Sequence, residues 1–273
     1  MMKRTASILL TLLMSLSLMA QGQVSTRKYR LSDFLDKMTK VVMSGDEVLC
    51  SALRQEVVNV WTSTTFEFCS LEQFEKLKTS EAYYFLIPVE SEGLMFLTLV
   101  KGGPQAQKGI SDMHEVITLP ISSALGSSSR DLVYLGGIVQ AIQDFTLAAM
   151  ESEKTAYQMS GWFNTRTKFK GKEVYVAQED LSSAMKEKDL QKLARNRSLH
   201  IVPASEADDR YQDFTPDALV GYVIAPALPE TGQLCYKLFF EADTHRLCRI
   251  GKEKITKKRG EGFLPSDLAG MGK

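Results

Sequence analysis

No Cys-x-x-Cys pair, Gly-x-Ser-x-Gly elbow, Gly-rich dinucleotide fingerprint or ligand-spaced histidine pair occurs in the 273 residues. The chain therefore lacks the usual sequence marks of a zinc site, an α/β-hydrolase and a nucleotide fold. Charge of one sign is also missing, since 33 basic side chains face 33 acidic ones, and no nucleic-acid footprint follows from that balance. Long apolar runs are absent but for residues 8–19, about twelve residues where a bilayer span needs about 20. What is present is 44% hydrophobic residues, enough for one large core or two modest ones and too many for a disordered chain.

The apolar run has Lys3 and Arg4 before it and the small residues Ala20 and Gly22 after it, the order of a secretory signal peptide over residues 1–22. No cysteine follows to accept a lipid, so the expectation is a soluble, periplasmic mature protein without a membrane span. Cys50, Cys69, Cys235 and Cys248 allow three complete disulfide pairings in an oxidising compartment, and their state is left open. If the chain turns at 242–245, Cys248 faces Phe239 and Cys235 falls out of register with it.

Alternating short β-rich runs and helical patterns predict an α/β fold, layered, with a mixed β-sheet and a central buried helix. The alternative is two small α+β domains. Ser32 opens a helix carrying Phe34, Leu35, Met38, Val41 and Val42, and a second helix, after the Ser44/Glu47 capping pair, carries Leu49, Leu53, Val57 and Val60. Ser70 and Gln73 cap a third. Residues 82–89 and 94–100 form a hairpin, and a strand at 116–119 stops at Pro120. The central helix, from about Arg130 to Met150, is apolar on nearly every side. Residues 23–251 form the α/β domain, with an internal boundary open near the polar stretch 151–172. Residues 252–273 form a basic, flexible C-terminal tail, and no repeat stands at solenoid spacing.

The residues that invite chemistry each have a simpler use. Gly102-Gly103-Pro104 reads as a turn, and Gly136-Gly137, inside the central helix, as a close backbone approach. Cys69 reads as a small buried hydrophobe, and Asp208, paired with Ser205, as a helix cap. No catalytic, cofactor-binding or metal-binding residue is assigned, and no cofactor is expected. His114, His200 and His245 stand apart in the sequence. Tyr83-Tyr84-Phe85 can present rings on a strand edge, and Phe263 can anchor the tail to the body or to a partner.

The runs Trp61-Thr62, Phe66-Glu67-Phe68-Cys69, Tyr83-Tyr84-Phe85-Leu86 and Phe96 to Gly103, with Cys235-Tyr236-Lys237, Asp243-Thr244-His245 and Ile255 to Lys258, resemble a family of uncharacterised exported proteins of Bacteroidetes. That resemblance implies source and compartment and carries no activity. The functional expectation is a non-enzymatic envelope protein that binds another protein or a second copy of itself; a small-ligand-binding protein or a hydrolase is the alternative.

Overall fold

The computed structural model describes residues 31–44, 47–164 and 169–272; the expected signal peptide, residues 1–22, lies outside them. Strand β1 (Met38–Met43) occupies the place of the first expected helix, preceded by one 3-10 turn at Phe34–Asp36. The physical reason is its position between two parallel neighbours, which buries Thr39 to Val42 on both faces. A strand covered on both sides shows no alternation, and its unbroken apolar run imitates a helix face. Helix α1 (Glu47–Val60) buries Leu49, Leu53 and Val57, at the spacing the sequence predicts. Residues 45–46, inside the expected Ser44/Glu47 cap, are outside the described residues.

Strand β2 (Phe66–Ser70) runs directly into α2 (Leu71–Leu77), where Ser70 and Gln73 form the expected capping box. Strands β3 (Tyr83–Ser91) and β4 (Leu94–Lys101) make the expected hairpin; Glu92 and Gly93 both have positive φ, 52° and 79°, as a primed two-residue turn requires. Strand β5 (His114–Ser123) passes through Pro120 instead of stopping there. It is an edge strand with a register shift beside Pro120, a setting that tolerates the missing N–H.

Helices α3 (Ser129–Val133) and α4 (Leu135–Glu151) replace the single long helix expected, with a break at Tyr134. The polar stretch that follows holds α5 (Glu153–Tyr157) and α6 (Met159–Phe163), and Trp162 and Phe163 pack on Phe145 of α4 at 5.7 and 6.1 Å between ring centroids. Then come β6 (Glu173–Ala177), α7 (Glu187–Leu193), β7 (Leu199–Val202), α8 (Ala204–Gln212), β8 (Ala218–Ile224), β9 (Leu234–Glu241), β10 (Leu247–Lys254) and α9 (Pro265–Leu268).

These elements form a mixed α/β fold with two five-stranded sheets, ordered β2-β1-β3-β4-β5 and β7-β6-β8-β9-β10. In the first, β1 is parallel to β2 and β3, and β3, β4 and β5 are antiparallel in turn. In the second, β6, β7, β8, β9 and β10 repeat each of those relations. The chain thus draws one topology twice, at an interval far longer than a solenoid repeat.

The hydrophobic clusters show how the copies stack. One large cluster joins Leu86 and Leu99 of the first sheet, α1, α4, Tyr211 of α8, and Val220 and Phe240 of the second sheet. A second covers the outer face of the first sheet with Phe74 of α2, and a third covers the outer face of the second sheet with Leu193 of α7 and Leu268 of α9. Helix α1 therefore lies on the inner face and its counterpart α7 on the outer one, while α2 and α8 are reversed. The copies stack in the same sense, the front of one sheet on the back of the next, as in a heterologous contact. Helix α4 lies between them with ten residues buried, Ile138, Ile142 and Phe145 completely.

Several expectations change with this arrangement. Tyr83-Tyr84-Phe85 belongs to β3, between β1 and β4, so it has no sheet edge to offer, and Tyr84 and Phe85 are fully buried. The segment expected as a basic tail begins inside β10 and continues against the second sheet. Phe263 is buried beside Phe239 and exchanges backbone hydrogen bonds with Asp180 and Ser182, so its ring is committed to the body. Cys248 sits in a bulge where its thiol donates to the Phe239 carbonyl at 3.2 Å, while Cys235 faces Glu253 across the β9–β10 ladder, so the two are not paired with each other.

Candidate functional site

Two polar constellations stand out, one closed and one open. The closed one begins at the capping box of α3, where Ser128 and Asp131 bond each other's backbone N–H. The turn so fixed sends Arg130 towards the second sheet. Its guanidinium donates to both oxygens of Asp180 at 2.7 and 2.8 Å and, through Nε, to Asp208 at 3.1 Å. Tyr134 Oη donates to Asp208 at 2.6 Å, Tyr222 Oη donates to Asp131, and the two rings stack 4.2 Å apart.

Asp208 is thus no helix cap: α8 starts after Pro203, which puts Asp208 inside the helix and turns its carboxylate to Arg130. Burial opposes the charge on Arg130, but Asp180 and Asp208 hold its pKa well above the ordinary value. Burial pushes Asp180 up to about 6 against the pull of Arg130, so the pair is still charged at neutral pH. Burial also raises Tyr134 and Tyr222 far above the phenol range, which keeps both hydroxyls protonated and able to donate to Asp208 and Asp131. Each of these groups is spent on another member, which makes the network a clamp between the two halves rather than a reacting centre.

The histidines and glycines are likewise absorbed by packing. His245 is sandwiched between Tyr211 and Phe214, with ring centroids 3.9 and 4.2 Å away, and Nε2 donates to the Tyr211 carbonyl at 2.7 Å; burial lowers its pKa. His200 stacks on Tyr175 and meets Glu173 at 2.6 Å. His114 lies in β5, opposite Lys101. Among the described residues no group of three His, Cys, Asp or Glu is arranged to hold a metal. Cys69 is buried, and burial raises its thiol pKa. A side chain on Gly137 would stand 2.4 Å from Tyr211 Oη and 2.8 Å from the His245 carbonyl; one on Gly102 would meet the Ser80 carbonyl at 2.2 Å. Gly137 therefore serves the close approach expected inside the central helix, and Gly102, expected only as part of a turn, stands against the Ser80 carbonyl, while Gly136 and Gly103 meet only the side chains of Glu56 and Gln105.

The open constellation is a groove of about 500 Å³ along α4. Its floor is the stripe Gln140, Asp144, Leu147, Ala148 and Glu151, residues that share one face at 3.6 residues per turn. Trp162 of α6 forms one wall, and Thr244 and Arg246, from the turn joining β9 and β10, form the other. Gln140 donates to Asp144 at 2.6 Å, and Arg246 approaches the same carboxylate at 3.8 Å while about half exposed. From Gln140 to Glu151 the stripe runs about 16 Å at 1.5 Å per residue.

The available signal for this groove was the polar stripe itself, set into an otherwise apolar helix. Gln143 belongs to the opposite side, where its Oε1 accepts from Thr62 and Ser63 N–H beyond the end of α1 at 2.7 and 2.9 Å. The Arg130 clamp left no local signal, because its partners lie 50 and 78 residues away. Comparison with known proteins finds no matching family model, no matching curated protein and no matching solved structure.

Proposed function

We propose that this is an exported envelope protein of the Bacteroidetes type described above, periplasmic once residues 1–22 are removed, whose task is to bind another polypeptide. The observation that carries the reading is the α4 groove, open along its length, three helical turns long and lined by both polar and apolar side chains. An extended segment lying there gains both main-chain hydrogen bonds and side-chain contacts. The groove volume also falls in the range of small-ligand sites, but a small ligand is better served by an enclosed cavity that buries most of its surface. Export is supported by the order of Lys3-Arg4, apolar run and small residues, and no helix among the described residues is long and apolar enough to cross a membrane. The layered arrangement, with α4 shared by both sheets, suits a rigid platform of one unit.

A photo-crosslinking residue at Thr244, on the groove rim, tests binding in the native envelope, with one at Lys188 on the outer helix α7 as control. Polypeptide adducts at position 244 that are absent at 188 support the reading. Equal labelling at both positions, or a retained small molecule in native mass spectra without adducts, overturns it. N-terminal sequencing of the same sample is expected to start at Gln21 or Gln23; a chain beginning at Met1 removes the export claim.

A further inference from the structure

Where the C-terminal segment covers the outer face of the second sheet, one buried amine stands against two carboxylates. We propose that Lys237 and Asp267 condense into an intramolecular amide, a covalent self-modification that is independent of the groove reading above. Lys237 lies in β9, two residues before Phe239 and so on the same face, which α9 covers. Its ladder partner Gly251 carries no side chain, so Glu253, one diagonal step along β10, reaches the ammonium at 2.6 Å. Asp267 of α9 reaches it at 2.5 Å, and only 7% of the lysine side chain is exposed. Phe239, Phe263 and Leu268 of the surrounding cluster are buried. Nucleophile and acceptor are thus held in contact by the fold, which is the condition under which a slow condensation becomes accessible.

The two carboxylates are equipped differently. Asp267 Oδ2 also accepts from the Leu264 N–H at 2.8 Å, a backbone donor placed to hold negative charge on that oxygen when the carbon is attacked. Glu253 turns Oε2 to the amine and gives its other oxygen to Arg259, so it keeps a partner once the amine is consumed. That makes Asp267 the acceptor and Glu253 the proton carrier. In the step, Glu253 takes a proton from the ammonium, Nζ bonds to Asp267 Cγ, and the bond from Cγ to Oδ1 breaks. Two of the three ammonium hydrogens leave with Oδ1 as water, the third stays on the amide nitrogen, and Glu253 ends as the carboxylate it began as. Burial opposes the charge on Lys237, but Asp267 and Glu253 raise its pKa, and Lys237 and Arg259 likewise lower that of Glu253 against burial. The neutral amine is therefore a small fraction. Because the bond forms once per chain, that fraction sets how slowly it forms and not whether it does. The product ties β9 to the C-terminal segment and replaces a buried charge pair by a neutral amide.

Intact-mass measurement of the folded protein, followed by denaturation and tryptic mapping, tests this. The expected mass is lower than that of the unmodified chain by one water, about 18 Da, with a branched peptide joining Lys237 to Asp267. Glu253→Gln, which leaves both reacting groups in place, is expected to slow formation by at least about 100-fold. Asp267→Ala and Lys237→Arg are expected to keep the full mass. An unmodified parent mass after prolonged incubation of folded protein overturns the proposal, as does a water loss mapped to any other residue pair, Lys237 with Glu253 included. A cross-link that forms equally fast in Glu253→Gln overturns the role given to Glu253.

Discussion

In the first half of the molecule the connection from β1 to β2 is the fourteen-residue α1, which buries Leu49, Leu53 and Val57; in the second, the equivalent connection contains α7, seven residues with Leu193 alone buried. The contrast recurs after the last strand of each copy, where the seventeen-residue α4 corresponds to the four-residue α9. Strand order and direction are the same in both, because backbone pairing and the handedness of parallel crossovers constrain them. Helix length follows the surface to be covered. Between two sheets a helix is buried on most sides and long apolar faces are stabilising, whereas on the outside a short element and an ordered C-terminal segment suffice.

The comparison breaks most visibly at α4. Ile142→Asp, or Ile138→Asp, puts a charge between the sheets and is expected to cost on the order of 4 kcal/mol in urea titration, whereas Leu268→Ala on α9 costs about 2 because the outer cover can relax. Equal losses would mean that α4 is no more central than its counterpart. Next comes Arg130→Ala, which leaves Asp180 buried without its guanidinium and is expected to cost about 3 kcal/mol. If the midpoint does not move, the clamp contributes nothing to holding the halves together.

Two adjacent glycines sharpen the picture at smaller magnitude. Gly137→Ala drives a methyl into Tyr211 and the His245 carbonyl and is expected to destabilise by about 1–3 kcal/mol. Gly136→Ala meets the end of the Glu56 side chain, which can swing away, so gained helix propensity leaves stability unchanged or raised by up to about 1 kcal/mol. Thermal unfolding of the two variants side by side decides it, and identical shifts would refute the close approach.

The smallest effects are in pH dependence, where two carboxyls of the first half carry opposite signs. Burial opposes the Asp33 charge, but hydrogen bonds from Lys101, Lys37 and Tyr84 bring its pKa from 3.8 to about 2. Its contribution is complete above pH 3.8 and lost as pH falls towards 2, and Asp33→Asn removes that loss. Burial raises Glu115 from 4.5 to about 7, and its Oε1 has no hydrogen-bond partner. The folded protein therefore holds that proton longer than the unfolded chain does. Stability from this group is complete below pH 4.5 and lost as pH rises through 7, and Glu115→Gln flattens the curve there. Unfolding midpoints from pH 2.5 to 8 that are the same in both variants and the parent would contradict these assignments.

What the sequence determined by itself was local. The capping box of Ser70 and Gln73, the primed turn at Glu92-Gly93, the i, i+4 stripe of α1 and the breadth of the apolar surface on α4 each depend on residues a few positions apart, so their physics is complete within a short window. The tertiary structure decided whatever depended on a neighbour from elsewhere in the chain. Strand β1 is a strand because β2 and β3 cover its edges, Pro120 is tolerated because β5 ends the sheet, and Asp208 faces Arg130 because α8 lies across the junction. The repeated topology belongs here too: pairing order is stored in contacts between distant segments, and the same backbone ladder carries different side chains in the two copies because each has its own surface to cover.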